Sequence, residues 1–65
     1  MEISVVLPIY NEKELVVPLY ASLRDSLERL GVDYELILVD DGSVDGTLPA
    51  LMDLAKADAR VTVIE

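Results

Sequence analysis

Apolar residues occur along the chain in two kinds of pattern, short runs and helical stripes. Three short runs, at residues 3–7, 36–39 and 61–64, are rich in Val, Ile and Leu. They are nearly continuous rather than alternating, which is typical of strands buried on both faces of a parallel sheet. We therefore predict three buried strands.

Leucines with helical spacing lie between the first two runs. They share one side of a helix and comprise Leu19, Leu23, Leu27 and Leu30. Gly31 follows them and predicts the C-terminal end of this helix. Because a proline deep inside a helix costs about 3 kcal/mol, we predict that the main helix begins near Val17, with Pro18 in its first turn. Residues 11–16 are expected to form a loop or single turn, in which Asn11 and Glu14 make a capping box.

A second helical segment covers residues 47–58. Its apolar side consists of Leu48, Leu51, Leu54 and Ala55. Thr47 or Asp45 is expected to cap this helix, and Pro49 is compatible with it because it lies in the first turn. The order strand, helix, strand, helix, strand predicts an α/β fold, a βαβαβ unit with a parallel sheet and right-handed crossovers.

Composition narrows the classes of function. The chain has 65 residues, no Cys and no His, so it is one domain at most and has neither a disulfide nor the commonest general base. Its net charge of −8 argues against direct binding to nucleic acid or to an anionic membrane. Its longest apolar run, about four residues, is far shorter than the roughly 20 needed to span a bilayer. We expect a cytoplasmic segment.

Two polar segments follow the first two predicted strands. They read PIYNEKE at residues 8–14 and DDGSVDGT at residues 40–47. In open α/β sheets, ligands bind beyond the carboxyl ends of the strands, and adjacent parallel strands would place these two segments side by side. The sequence therefore predicts a ligand site where they meet, although neither a GxGxxG motif nor a P-loop is present.

The residues of these segments allow two interpretations. A carboxylate of Asp40 or Asp41 suits the ring N–H of uracil or guanine, a donor that adenine lacks; alternatively, the segment is only a turn, with Asp45 as a helix cap. Tyr10 either stacks on a base or covers the end of the sheet. Glu12 either accepts from a ribose hydroxyl or favours a helix N-terminus. Pro8 is expected to end the pairing of the first strand because it has no N–H.

The two segments together closely resemble the N-terminal sequence of the family 2 glycosyltransferases, which have the GT-A fold. The motifs "YNE" and "VDDGS.DGT" are most similar to those of the branch that transfers sugars to polyprenyl phosphates. The resemblance extends from Ile3 to Ile64. It implies a Rossmann-like nucleotide-sugar-binding domain, of which residues 1–65 are expected to be the incomplete N-terminal part.

The resemblance also assigns roles to individual residues. Carried over, the nucleotide-sugar site consists of Pro8, Ile9, Tyr10, Glu12, Asp40 and Asp41. It implies that Asp41 contacts the base while Asp40 braces the loop. It also implies that Tyr10 and the backbone of residues 8–9 line the base and ribose, with Glu12 near either one.

Other parts of such an enzyme are expected outside this chain. The Asp-x-Asp metal motif is absent, so Mg²⁺ or Mn²⁺ is expected to be bound by other residues, and no catalytic residue is assigned here. The resemblance implies a UDP- or GDP-sugar donor and a polyprenyl phosphate or another acceptor. It also implies a location at the cytoplasmic face of a membrane, and it leaves homo-oligomerisation open.

Two alternatives remain open at this point. An acidic pair also occurs in response-regulator receiver domains, but there it follows the first strand and an Asp ends the third, whereas VTVIE has no Asp. The other alternative is an inactive structural fragment, which is compatible with membership of a longer transferase.

Overall fold

The computed structural model describes residues 2–65 and has five elements in the predicted order. The strands are β1 (Ile3–Ile9), β2 (Tyr34–Asp40) and β3 (Val61–Ile64), and the helices are α1 (Lys13–Leu30) and α2 (Thr47–Ala57). The strands form one parallel sheet in the order β1-β2-β3. The predicted α/β class and the βαβαβ unit are therefore confirmed.

The register brings the ends of β1 and β2 to the same level. Ile3 pairs with Tyr34, and Ile9 pairs with Asp40, so the two strands begin and end together. The backbone N–H of Asp41 donates to the carbonyl of Ile9 at 3.0 Å, which continues the pairing one residue beyond β2. The loops after β1 and β2 therefore leave the sheet at the same end, the carboxyl end of the strands.

The helices cover one face of the sheet, where the sequence predicted strands buried on both faces. Burial alternates along each strand: Leu36 is fully buried, whereas Val6 and Ile64 on the opposite face are 59% and 48% exposed. The strand order explains this difference, because two right-handed crossovers that progress in one direction place both helices on the same face. The continuous apolar runs are thus strands with one covered face.

The core lies between this face and the helices. All five elements contribute to it, through Ile9, Val16, Leu27, Tyr34, Leu36, Leu38, Leu51 and Val61. On α1 the inward face passes through Val16, Tyr20 and Leu27, and this stripe differs from the predicted one because Leu30 is 67% exposed. On α2 the predicted stripe is confirmed, with Leu51 fully buried.

Helix α1 begins at Lys13, four residues before the predicted start. Pro18 therefore lies inside the helix, at its sixth position, rather than in the first turn. A proline there cannot donate to the carbonyl four residues earlier, which a free helix would tolerate poorly. The predicted capping box is also wrong, because the N-cap is Glu12 and Asn11 lies outside the helix. The reason for the early start lies in contacts with the loop after β2, described below.

The predicted end of α1 is confirmed. Gly31 adopts the left-handed conformation with φ 68°, and its N–H donates to the carbonyl of Glu28 at 3.1 Å. A side-chain hydrogen bond also joins the two helices. Tyr20 of α1 donates it to Asp58, which follows α2, over 2.6 Å. This bond lies at the end of the sheet opposite the loops.

Pro8 does not end the pairing of β1, contrary to the prediction, since β1 continues through Ile9. In a parallel strand, backbone polar groups of successive residues point to opposite sides. The carbonyl of Ile9 points toward β2, where it accepts from Asp41. The nitrogen of Pro8 therefore faces the free side of β1, and an edge strand tolerates a proline in that position.

Candidate nucleotide-binding site

The loop after β1 and the loop after β2 lie against each other, as predicted. We refer to residues 10–12 as the first loop and to residues 41–46 as the second loop. Four hydrogen bonds from backbone N–H groups to side chains join the first loop and the start of α1 to the second loop and the start of α2. These bonds hold the two loops together, so that the carboxyl ends of β1 and β2 share one surface.

Asn11 is the central connection between the two loops. Its N–H donates to Ser43 Oγ at 2.8 Å, and its Oδ1 accepts from the N–H of Val44 at 2.8 Å. Asn11 has φ 47°, and Asn is one of the few residues other than Gly that adopt this conformation readily. Ser43 of the second loop is thus bonded to the backbone of the first loop.

Asp45 and Thr47 supply side-chain acceptors at the starts of the two helices, although the N-cap positions are Glu12 for α1 and Gly46, not the predicted Thr47 or Asp45, for α2. Thr47 Oγ1 accepts from the N–H of Glu12 at 3.1 Å and donates to Asp45 Oδ1. Asp45 Oδ1 also accepts from the N–H of Thr47 at 3.0 Å, while its Oδ2 accepts from the N–H of Lys13 at 3.3 Å. The N-terminal N–H groups of α1 therefore have partners supplied from far along the chain. These partners account for a helix that starts at Lys13 despite Pro18.

We expect Thr47→Val to destabilise the protein although it preserves the shape of the side chain. Thr47 is fully buried, and the substitution leaves the half-buried N–H of Glu12 without its acceptor. The free energy of unfolding should fall by about 1–3 kcal/mol, measured by denaturant unfolding. Thr62→Val on the exposed face of β3 is the matched control and should have little effect. Equal effects of the two substitutions would show that the cap contributes nothing.

The capping bonds also affect the ionisation of Asp45. The hydrogen bond from Thr47 Oγ1 lowers the pKa of Asp45 below its usual 3.8, and the N–H of Lys13 acts in the same direction. A carboxylate with a lowered pKa stabilises the fold above its unfolded pKa, and this stability is lost as pH falls through the folded pKa.

We therefore expect the connection between the loops to weaken below about pH 4. In an NMR titration, the amide signals of Lys13 and Thr47 should move together, with a midpoint below 3.8. In Asp45→Asn this shared acid transition should disappear. A midpoint at or above the ordinary value would contradict the double cap.

The other predicted site residues lie around this connection, and two of them project from the fold. Asp41 is exposed, and within residues 2–65 no hydrogen bond engages its carboxylate. The Tyr10 side chain is 56% exposed, so it covers little of the sheet end and its ring is open to a ligand. Glu12 is half-buried, and its Oε1 accepts from the N–H of Tyr10 at 3.3 Å.

Pro8, Ile9 and Asp40 are placed differently. Pro8 is exposed on β1, the edge strand of the sheet. The Ile9 side chain is in the core, and only the backbone of Ile9 is near the loops. Asp40 is 6% exposed, and its Oδ1 is buried without a hydrogen-bond partner among residues 2–65. Asp40 therefore makes no bracing hydrogen bond through that atom, and its role in supporting the loop stays a prediction. Burial of an unpartnered carboxylate oxygen is costly, which marks this position as more than a turn residue.

The two loops present an acidic surface. Carboxylates of Glu12, Asp41 and Asp45 are close to the loops, together with the basic side chain of Lys13. Over the part of the chain that the structure describes, no three acidic side chains come together as a metal site. The surface can accept hydrogen bonds from N–H or hydroxyl groups and can offer an aromatic face.

Sequence reasoning missed three contributors to this surface. Asn11 was interpreted as a helix cap, yet its tolerance of positive φ was a usable signal for a tight loop. The contact of Thr47 with Glu12 spans 35 positions, and no local pattern reports such a contact. Lys13 was predicted only as part of the first polar segment and was assigned no role of its own.

Comparisons with known proteins add independent evidence. The sequence model of glycosyl transferase family 2 matches residues 4–65. The chain is 38% identical over 64 residues to an uncharacterized glycosyltransferase, sll0501, of Synechocystis sp., and 40% identical over 62 residues to the putative glycosyltransferase CsbB of Bacillus subtilis. It is 46% identical over 55 residues to an undecaprenyl-phosphate 4-deoxy-4-formamido-L-arabinose transferase of Enterobacter sp..

These relatives are much longer than the matched region. The matches cover 98%, 95% and 85% of this chain, but only 20%, 19% and 17% of the respective relatives. The chain thus spans about a fifth of the length of the curated relatives it matches.

Proposed function

Because this chain belongs to glycosyl transferase family 2, we propose that it forms the nucleotide-binding part of an enzyme that transfers a sugar from a UDP- or GDP-sugar. The observation that supports this most is the pair of joined loops, which presents Asp41 and Tyr10 at the carboxyl ends of β1 and β2. This is the edge at which open α/β sheets bind ligands.

In this proposal, recognition of the nucleotide rests on three side chains. Asp41 accepts a hydrogen bond from the ring N–H of uracil or guanine, and this charge-assisted bond is stronger than a neutral one. The ring of Tyr10 stacks on the base, a contact worth about 1–3 kcal/mol in nucleic-acid sites. Glu12 has its Oε1 on the Tyr10 N–H, which leaves its other oxygen for a ribose hydroxyl.

The backbone of residues 8–9 and the buried Asp40 complete the proposed pocket. The carbonyl of Ile9 accepts from the N–H of Asp41, so it fixes the position of that residue at the pocket. Asp40 directly precedes Asp41 in the chain, and its Oδ1 is buried without a hydrogen-bond partner among residues 2–65. We assign it to the support of the pocket, with a hydrogen-bond donor from elsewhere.

The acceptor and the metal are further parts of the proposal. The Enterobacter relative is described as acting on undecaprenyl phosphate, which supports a polyprenyl phosphate acceptor here. A Mg²⁺ or Mn²⁺ ion would have its ligands outside residues 2–65, since these contain no cluster of three candidate ligands. No catalytic residue is assigned to this chain.

The location of the enzyme stays a prediction. Neither helix within residues 2–65 is long and apolar enough to cross a membrane. The cytoplasm, or the cytoplasmic face of a membrane for a longer chain, is the predicted place.

Nucleotide titrations of the ¹⁵N-labelled chain test the proposal. UDP or GDP should shift the amide signals of residues 8–13 and 40–47 in a saturable manner, and ADP should not, because adenine lacks the ring N–H donor. Shifts of equal size with all three nucleotides would contradict recognition of the base, and no shift with any of them would contradict nucleotide binding.

The alternatives are not equally supported. No observation favours a receiver domain, because β3 ends at Ile64 without an Asp and the family match covers nearly the whole chain. A structural fragment without activity of its own remains compatible with the fold, and the same titration distinguishes it from a binding unit.

A further inference from the structure

Lys13 carries the basic side chain closest to the joined loops. It is the first residue of α1, and its backbone N–H is held by Asp45. Its side chain crosses to the second loop: Cδ and Nζ lie 3.4 and 3.6 Å from the position that a Cβ on Gly46 would occupy. Since Gly46 has no side chain and adopts φ 91°, the turn leaves this space to Lys13.

The other basic residues lie far from this edge of the sheet. Arg24 and Arg29 form ion pairs with Glu28 and Asp25 on later turns of α1. Arg24 is 11 positions after Lys13, which corresponds to about 16 Å along a helix. Lys56 is in the last turn of α2, and Arg60 precedes β3 at the opposite edge, where it lies over the Tyr34 ring.

The negative charge of the residues around the loops makes a basic side chain beside them important for binding an anionic ligand. Glu12, Glu14, Asp41 and Asp45 are all close to the loops in sequence and structure. Like charges that approach closely repel each other, and they do so more strongly near a protein surface than in bulk water. An acidic edge of this kind repels a nucleoside diphosphate unless a positive charge meets the phosphates.

The ammonium of Lys13 is available for that contact. Within residues 2–65 it has no carboxylate within ion-pair distance, although Glu12, Glu14 and Asp45 line the same groove. It borders an open groove that is lined by residues 11–15 and Asp45. The groove lies beside the joined loops, since Asn11 and Glu12 belong to the first loop and Asp45 to the second.

We propose that Lys13 contacts the diphosphate of the donor nucleotide and sets the preference of this site for diphosphates over nucleosides. This inference rests on the proposed function, because it needs the base to be bound at the joined loops. It assigns Lys13 to binding of the donor and gives it no part in bond breaking.

Truncated ligands separate this role from a general effect of charge. Lys13→Gln should weaken binding of UDP or GDP by about tenfold, the loss expected for one charge-assisted hydrogen bond, while binding of uridine or guanosine stays the same. Lys13→Arg should keep most of the affinity, and Lys13→Glu should lose more than Lys13→Gln. The affinity of the unmodified chain for the diphosphate should fall with added salt more steeply than that of Lys13→Gln.

Lys56→Gln is the matched control, because it makes the same charge change at the far end of α2. It should leave the affinities for both ligands unchanged, and amide spectra should show that every variant is folded. Equal loss for nucleoside and diphosphate, or unchanged diphosphate affinity in Lys13→Gln, would overturn the inference and leave nucleotide binding intact. If the unmodified chain binds neither ligand, the proposed function fails first.

Discussion

Leu36→Ala is expected to remove a large part of the free energy of unfolding of the protein. Leu36 lies in the central strand, pairs with Val5 and Val61 on either side, and is fully buried in the core. Replacing such a residue with Ala costs about 2–5 kcal/mol, because apolar contacts are lost and a cavity remains. At roughly 0.05–0.15 kcal/mol per residue, the total stability of a chain this short is of similar size. Circular dichroism with urea unfolding would measure the loss.

Ile37→Ala is the matched control for this substitution. Ile37 is the next residue of β2 and points to the face that the helices leave uncovered. Its replacement should cost only about 1 kcal/mol, because a half-buried side chain has less apolar surface to lose. Equal losses at the two positions would contradict a sheet with one covered face.

These two neighbouring residues show what the sequence could and could not predict of the fold. The runs, the leucine stripe and Gly31 predicted every element and the class, because burial and chain geometry leave local signatures. Leu36 and Ile37 have the same apolar character, so no local signal says which one faces a helix. That choice depends on the strand order, which is a property of the whole fold.

The start of α1 shows a similar limit. Pro18 argued for a start near Val17, and this rule holds for a helix whose N-terminus must cap itself. Here Asp45 of the second loop and Thr47 of α2 supply the acceptors for the N–H groups of Lys13 and Glu12. Contacts between residues that are more than 30 positions apart outweigh this local preference. Such contacts can be identified only once β1 and β2 are placed side by side in three dimensions.

The candidate site was predicted in part. The convergence of the loops followed from the rule for strand ends, and the structure confirms it through Asn11 and Ser43. The division of roles between Asp40 and Asp41 stays a prediction, and the sequence has no local signal for it because the two residues differ in burial and not in chemistry. Asp40 is buried with an unpartnered oxygen, whereas Asp41 is exposed.

Asp41→Ala is expected to have the largest effect on ligand binding. Its carboxylate is the proposed acceptor for the ring N–H of the base, and loss of a charge-assisted hydrogen bond costs about 1.5–3 kcal/mol. Affinity for UDP or GDP should therefore fall about 10- to 100-fold. Stability should be nearly unchanged, because the side chain is exposed and only the backbone N–H of Asp41 is used by the fold.

Asp53→Ala controls for the loss of one negative charge. Asp53 is exposed on α2, away from the loops, and its replacement should leave the affinity for the nucleotide unchanged. Similar losses in the two variants would assign the effect of Asp41 to net charge instead of to recognition of the base.

The most direct test of base recognition compares UDP with its N3-methyl analogue, or GDP with its N1-methyl analogue, on the unmodified chain and on Asp41→Ala. Methylation removes the ring N–H, so the unmodified chain should bind the analogue about as weakly as Asp41→Ala binds the parent nucleotide. The substitution should then cause no further loss with the analogue. Undiminished binding of the methylated nucleotide by the unmodified chain would contradict the proposed role of Asp41 in this site.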